Sequence, residues 1–269
     1  MALTHLIVGA GNMGGALLSG WLRDGLLAPR SLAVLDPSPG TEAVFAIERG
    51  ARHLTGPSEI PKGIGTVLLA VKPQLYPRLR SDLAAVLGPG TLVVSIMAGI
   101  KLARLAADLP DCHVVRAMPN TPAAIGRGVS AFVAGADVPS DAVARAEALL
   151  AASGTVLRLQ DDAQIDAVTA ISGSGPAYVF HLVEALEASA KALGLAPDVA
   201  AALARQTVIG ASALLEASER DAAELREAVT SPGGTTQAAL EVLMGENGLS
   251  ALMREATRAA ADRSRALSR

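Results

Sequence analysis

Three glycines near the start of the chain, Gly9, Gly11 and Gly14, stand in the spacing G-x-G-x-x-G. An apolar run at residues 4–8 precedes them. After them Ala16, Leu17, Leu18, Trp21 and Leu22 recur at helical spacing. Strand, glycine turn and helix in that order give the spacing a chemical reading. Gly9 permits a tight turn, Gly11 lets a pyrophosphate approach the backbone, and Gly14 lets the helix pack close to the strand. The free N–H groups at the helix start then face the phosphates. The plainer reading is an ordinary strand–turn–helix with permissive glycines. Position, spacing and flanks together favour a dinucleotide.

Other residues extend that site. Asp36 ends a second apolar run, residues 31–35, where an acid commonly accepts hydrogen bonds from the adenosine ribose. It would repel a 2′-phosphate, and the following residues offer Ser38 and Thr41 but no arginine before Arg49, so the local chemistry leans toward NADH. Alternatively Asp36 simply opens a turn before Pro37. Lys72 follows the run at residues 66–71. It either meets a phosphate or ribose or is a solvated loop charge, while Pro73 can open the next helix. Met97, Ala98 and Gly99 follow the run at residues 91–96 and leave room for a flat ring. Asn120, between Pro119 and Pro122, has a side chain suited to a carboxamide or a substrate.

Two stretches in the second half carry polar groups on flexible backbone. Residues 172–178 read SGSGPAY and interrupt an apolar segment. Residues 230–236 read TSPGGTT and lead directly into a helical pattern. Glycine-exposed N–H groups at a helix start form a receptor for a carboxylate. Ser231, Thr235 and Thr236 add hydroxyls. Read plainly, the two stretches are a turn and a helix N-cap.

The groups that usually protonate a carbonyl during hydride transfer are scarce. The histidines are His5, His53, His113 and His181, and the tyrosines Tyr76 and Tyr178. His5 and His113 fall at strand starts, the wrong end of a parallel sheet. His181 reads as a packed core residue. None has an evident acidic partner or metal-ligand spacing, so no metal is expected.

These residues need a scaffold, and the pattern supplies one. Apolar runs at 4–8, 31–35, 66–71, 91–96, 113–118, 128–134 and 155–159 alternate with helical segments, including 139–152. That alternation predicts a Rossmann-like, doubly wound parallel sheet over residues 1–160. Near Gln160–Asp162 the pattern changes. Residues 163–193, 197–217, 221–229 and 235 to the end all favour helix, so a second, all-α domain is expected over 161–269. The helices at 175–193 and 198–216 are apolar on most sides, as buried helices are. A domain of that size has too little interior to hide them, so they are expected to pack against a second subunit. The alternative is a compact helical domain with an alanine-rich surface.

Composition narrows the partners. The 269 residues are 51% hydrophobic and 18% charged, with a net charge of −3. There is no basic face for nucleic acid. The single cysteine, Cys112, suits a reducing compartment, and the N-terminus shows no leader pattern, so a cytoplasmic protein is expected. No uninterrupted apolar run of about 18 residues predicts a membrane span. The mean hydropathy of +0.38 again points to an oligomeric interface.

From end to end the chain resembles the pyrroline-5-carboxylate reductases. The stretches that carry the likeness are GAGNMG at 9–14, AVKP at 70–73, VVSIMAG at 93–99, RAMPNTP at 116–122, DAVTAISGSGPAYVF at 166–180 and VTSPGGTTQAAL at 229–240. The resemblance implies reduction of the cyclic imine Δ1-pyrroline-5-carboxylate to L-proline with NAD(P)H, the last step of proline biosynthesis. It implies a Rossmann domain followed by a helical dimerisation and substrate domain, in a homodimer or a ring of dimers. It assigns the pyrophosphate to Gly9, Gly11, Asn12, Met13 and Gly14. Val71, Lys72, Pro73, Ala98 and Gly99 would line the rest of the cofactor site, with Asn120 near the nicotinamide. Val229, Ser231, Gly233, Gly234, Thr235 and Thr236 would hold the substrate carboxylate and ring nitrogen. Members that prefer NADPH often carry serine or threonine where this chain has Asp36.

An imine also fits the shortage of acids. Its nitrogen is basic enough to arrive protonated, so the protein mainly needs to position it. Thr236 is then the candidate catalytic group, hydrogen-bonding the nitrogen as it becomes an amine. Two other readings stand beside this one. A hydroxy-acid dehydrogenase of similar architecture would want a lysine in the interdomain helix, where only Lys191 occurs, near its far end. A dinucleotide sensor without turnover would leave the 230–236 turn without a purpose.

Overall fold

The structure, a computed structural model, describes residues 3–268. Its chain divides into two units: residues up to Ser174 together with those from Ala260 onward, and Gly175–Ala259 between them.

The first unit is built on an eight-stranded sheet: β1 (His5–Val8), β2 (Leu32–Leu35), β3 (Arg52–Leu54), β4 (Thr66–Leu69), β5 (Leu92–Ser95), β6 (His113–Met118), β7 (Gly128–Ala134) and β8 (Gly154–Arg158). The order is β3-β2-β1-β4-β5-β6-β7-β8. The chain winds outward from β1 to β3, then returns to lay β4 on the other side of β1. That reversal is the topological switch point of the sheet, where ligands bind outside the carboxyl ends of the strands.

Helices cover both faces, so successive side chains of a strand enter different cores. Ile7, Val34, Leu68 and Val94 pack with Leu17, Leu18 and Trp21 of α1 (Asn12–Arg23), Ala43 and Ala46 of α2 (Thr41–Glu48), and Leu149 and Leu150 of α5 (Ser140–Ala151). Leu6, Val8, Val67 and Val93 pack with Leu83 of α3 (Tyr76–Val86) and Leu105 of α4 (Leu102–Asp108). The buried Trp21 indole donates to the Leu149 carbonyl at 2.7 Å, so the largest side chain of that core leaves no unpaired donor.

The sheet is the expected doubly wound, mostly parallel one, and it departs from parallel at its far edge. β7 runs antiparallel to β6, and β8 runs parallel to β7. The connection from β6 to β7 is only residues 119–127, too short for the crossover of about a dozen or more residues that a parallel neighbour requires. β3 has no counterpart among the expected strands. It is three residues long with an exposed arginine and a histidine, so no apolar run announces it.

The expected break at 160–161 does not coincide with the division seen here. α6 (Gln164–Val168) stays with the sheet because Ile165 packs in a small cluster with Met118 and Val133. A π-helical turn, Thr169–Gly173, follows, and only then does α7 (Gly175–Ala192) begin. Its place matches the SGSGP interruption. The Thr169 and Ser172 hydroxyls donate to the carbonyls of Ile165 and Val168, the local competition that loosens a helical ladder.

The second unit is α7 packed on α8 (Pro197–Ala217), then α9 (Ala222–Ala228), α10 (Thr235–Leu243) and the first part of α11 (Leu249–Leu267). It has scarcely any interior. α7, α9 and α10 bury no described residue, and α8 buries only Ala200 and Ala204. Phe180, Leu203, Ile209, Leu214 and Val242 are each half exposed or more. Apolar area on that scale marks an interaction surface. α8 is also the one helix among the described residues long and apolar enough, by length and composition, to cross a membrane. His181, expected in a core, lies exposed on α7 and does have an acidic partner, with Nδ1 3.0 Å from Glu184 Oε2.

Candidate active site

The glycine turn sits at the switch point. β1 ends at Val8 and α1 starts at Asn12, so Gly9–Gly11 form the whole connection. Gly9 has φ +88°, and a Cβ there would come within 2.7 Å of the Val71 nitrogen. It is glycine for two independent reasons, backbone conformation and the closeness of β4. At Gly14 a Cβ would overlap the Gly9 carbonyl oxygen and press on Ala70 Cβ at 3.1 Å. This residue sets how close α1 approaches the β1–β4 pair.

Gly11 differs from both. A Cβ there would meet nothing within 4 Å, and its φ of −74° is open to any residue. Neither packing nor backbone geometry within the chain calls for glycine. It is the N-cap of α1 and no side chain caps that helix end. Exposed N–H groups at the positive end of a helix, beside an open glycine, form a cradle for an anion. Asn12 is exposed and Met13 half-buried at the same helix start.

Asp36 is held against this turn. Its Oδ2 accepts from the Ala10 N–H at 2.7 Å and its Oδ1 from the Ser38 N–H at 2.8 Å. The Asp36 carbonyl lies 2.8 Å from His53 Nε2, so that nitrogen carries the proton and donates. The residue is therefore more than the opening of a turn. It ties the end of β2 to the glycine turn and keeps a negative charge at the rim, with lone pairs left on each oxygen. His53, on the unexpected β3, supports it from behind.

Val71, Lys72 and Pro73 leave the end of β4 beside Gly9. Lys72 is exposed and precedes a single 3₁₀ turn, Pro73–Leu75. Ala98, exposed, and Gly99, with φ +75°, follow β5 at the same edge of the sheet. Asn120 follows β6 and is 8% exposed. Its Oδ1 accepts from the Val129 N–H at 2.9 Å and its Nδ2 donates to the Ser172 carbonyl at 3.2 Å. The side chain is thus a brace between the β6–β7 loop, β7 and the π-helical turn. The structure brings Gly9, Gly11, Asn12, Met13, Gly14, Asp36, Val71, Lys72 and Pro73 around one strand–helix junction. Ala98, Gly99 and Asn120 lie on the neighbouring strand ends.

The remaining candidates share one turn of the second unit. Gly233 has φ +68°, and its N–H donates to Gln237 Oε1 at 2.7 Å. Gly234 is the N-cap of α10, again with no side chain capping the helix. Thr235 and Thr236 open the helix, the first exposed and the second half-buried, while Ser231 and Val229 are exposed. The turn is an uncapped helix start surrounded by hydroxyls, the donor set a carboxylate takes.

One further pair joins residues 46 positions apart. Arg116, in the middle of the apolar strand β6, is 2% exposed and donates through Nη1 to Asp162 Oδ1 at 2.8 Å. A charge inside a run that otherwise reads as a buried strand was the available signal.

Residues 162–267 match the family model described as pyrroline-5-carboxylate reductase dimerisation. Residues 5–99 match the one described as NADP oxidoreductase coenzyme F420-dependent. The chain is 42% identical over 258 residues to a pyrroline-5-carboxylate reductase of Pseudomonas aeruginosa, covering 96% of this chain and 94% of that protein. It is 38% identical over 268 residues to that of a Synechocystis species, covering 99% of each. Among solved structures, the reductase of Coxiella burnetii superposes with a TM-score of 0.91 at 33% identity, over 100% of both chains. The pyrroline carboxylate reductase of Plasmodium falciparum, with NADP bound, superposes with a TM-score of 0.85 at 25% identity, over 99% of this chain and 98% of that one. With that likeness running over nearly the whole of both chains, and the dimerisation model matching the helical half, this chain belongs to the pyrroline-5-carboxylate reductase family.

Proposed function

We propose that this protein reduces Δ1-pyrroline-5-carboxylate to L-proline, with hydride from a nicotinamide dinucleotide. The observation that carries the reading is the open Gly11 cradle, in a chain that matches pyrroline-5-carboxylate reductases over nearly all its length. The bound reduced nicotinamide supplies the hydride. The helix start at Gly11–Met13 holds the pyrophosphate, with Gly9 and Gly14 keeping the turn tight enough to present its N–H groups. Lys72 meets a phosphate or ribose oxygen. Ala98 and Gly99 leave room for the ring, and Asn120 holds the adjoining loop in place.

The uncapped start of α10, with Ser231, Gly233, Gly234 and Thr235 beside it, takes the substrate carboxylate. Val229 lines the same turn. Thr236 hydrogen-bonds the ring nitrogen. The iminium carbon gains the hydride and its π electrons become the amine lone pair, so no acid needs to deliver a proton during the transfer. The scarcity of suitable acids fits that chemistry. Lys191 does not serve a hydroxy-acid reaction well, since it is exposed and paired with Glu187 at 2.6 Å.

Asp36 supports NADH over NADPH. Its carboxylate is fixed at the rim by two backbone N–H groups, where a 2′-phosphate would meet it. The exposed apolar faces of α7 and α8 meet a second copy of the chain, as a homodimer or a ring of dimers, in the cytoplasm; they do not enter a membrane. Initial rates with pyrroline-5-carboxylate, NADH and NADPH in parallel test the reading. Turnover with proline as product and a preference for NADH are expected. Dinucleotide binding with no oxidation on addition of the imine overturns it, and a Thr236→Ala variant with unchanged kcat/KM removes that residue from its role.

A further inference from the structure

The buried guanidinium of Arg116 has no role in the chemistry above. It occupies the middle of β6, in register with Ser95 of β5 and Val133 of β7. Burying an arginine is costly unless it is paired, so a 2% exposed one calls for a reason. Its one partner among the described residues is Asp162, and its Nε and Nη2 have none there. Asp162 in turn reaches the other way. Its Oδ2 accepts from the N–H of Leu102 at 3.4 Å, the first residue of α4. The chain between β5 and α4 is residues 96–101, of which the Met97–Lys101 loop contains Ala98 and Gly99.

That loop is confined on a second side. Gly99 faces the end of α11, where a Cβ would stand 2.8 Å from the Leu267 carbonyl oxygen. The end of α11 is itself fixed on the first unit by a buried hydrogen bond from Ser264 Oγ to Asp166 Oδ1 at 2.5 Å. The loop is therefore wedged. The Leu267 carbonyl limits movement in one direction, and Asp162 holds the far end of the loop through Leu102. Arg116 keeps the Asp162 carboxylate turned toward that N–H.

We propose that Arg116 is a positioning residue for hydride transfer, acting through Asp162 to fix the Met97–Lys101 loop against which the nicotinamide ring lies. This rests on the dinucleotide reading of the site given above. Distance and angle of approach dominate a step in which the protein supplies no acid, so a small shift in this loop affects transfer more than dinucleotide binding. The pyrophosphate is gripped elsewhere, at Gly9–Met13, and its grip does not depend on the pair.

The test compares the wild-type enzyme with Arg116→Lys, Arg116→Met and Asp162→Asn. Four quantities are measured: dissociation constant for NADH, kcat, Tm, and the isotope effect on kcat with NADH deuterated at the transferred position. Arg116→Met is expected to lower kcat at least tenfold and raise the isotope effect, with the NADH dissociation constant changed less than threefold. Arg116→Lys restores part of the loss, because a cation still faces Asp162. Asp162→Asn keeps an acceptor for Leu102 in a partly exposed side chain, so it folds and shows a smaller loss of the same kind. The proposal is overturned if Arg116→Lys and Asp162→Asn retain wild-type kcat and isotope effect, or if NADH binding falls in step with kcat. A wild-type protein that binds no dinucleotide overturns the underlying reading instead, which separates the two failures.

Discussion

Replacing Gly11 with alanine separates the fold from the function it serves. The added methyl enters open space, since nothing lies within 4 Å of it, and φ at −74° needs no adjustment. Alanine is a poorer N-cap than glycine, at about 0.5–1 kcal/mol. It also restricts the unfolded chain, which returns a similar amount. Stability should therefore stay within about 1 kcal/mol, a Tm change of roughly 2–4 °C at most. The methyl fills the space through which a pyrophosphate oxygen would reach the helix start. Losing one charge-assisted hydrogen bond there costs about 1.5–3 kcal/mol, or roughly 10- to 150-fold in the NADH dissociation constant. Gly14→Ala is the contrast. Its methyl overlaps the Gly9 carbonyl and contacts Ala70, both on rigid strand ends. Overpacking of about 1–3 kcal/mol, toward the upper end here because neither neighbour can yield, should lower Tm by roughly 5–10 °C. Titration of intrinsic or NADH fluorescence, together with thermal unfolding at one fixed protein concentration, distinguishes them. A Gly11→Ala protein that binds NADH as tightly as wild type would refute the cradle.

Further outcomes follow from the same geometry. Asp36→Ser removes the rim charge and the 2.7 Å contact to Ala10, so the ratio of kcat/KM for NADPH to that for NADH should rise by about 10-fold or more; an unchanged ratio rules out Asp36 as the discriminating residue. Leu214→Glu on α8 places a charge on an exposed apolar face and should convert the oligomer to smaller species in light scattering, whereas an unchanged mass would move the interface elsewhere. Burial, helped by Asp111, pushes the Cys112 thiol up to about 11, so the native protein should react with a thiol reagent at pH 8 far more slowly than the denatured one. His5 is held below its ordinary value by burial and then by the Arg145 charge, so the unfolded chain takes up this proton first as pH falls. Its contribution to stability is complete above the unfolded value of 6.5 and is lost as pH drops through the lower folded value. Denaturant titrations of His5→Gln across that interval should show a flatter pH dependence than wild type.

Much of this protein is written locally in its sequence. Apolar runs with helical segments between them specify β1, β2, β4, β5 and β6, because a strand buried on both faces is made almost wholly of apolar residues. The glycine turn was legible for a similar reason: its residues and their order describe a conformation, a tight strand-to-helix turn with φ +88° at Gly9. The TSPGGTT turn and the SGSGP interruption were visible as departures from helix, and both fall where the backbone departs from α-helix. What the sequence left open depends on residues far apart in the chain. The reversed direction of β7 follows from a loop length weighed against a sheet edge. The pairing of Asp36 with Ala10, of Asn120 with Val129 and Ser172, and of Arg116 with Asp162 spans from nine to 52 residues, with partners that mostly lie on other elements. His181 shows the same limit from the other side, since an apolar helix looks buried in sequence whether its cover comes from its own chain or from another. Local pattern fixes which groups a segment must satisfy, but only the folded chain decides which distant group satisfies them, because a hydrogen bond is made between atoms and not between positions in a string.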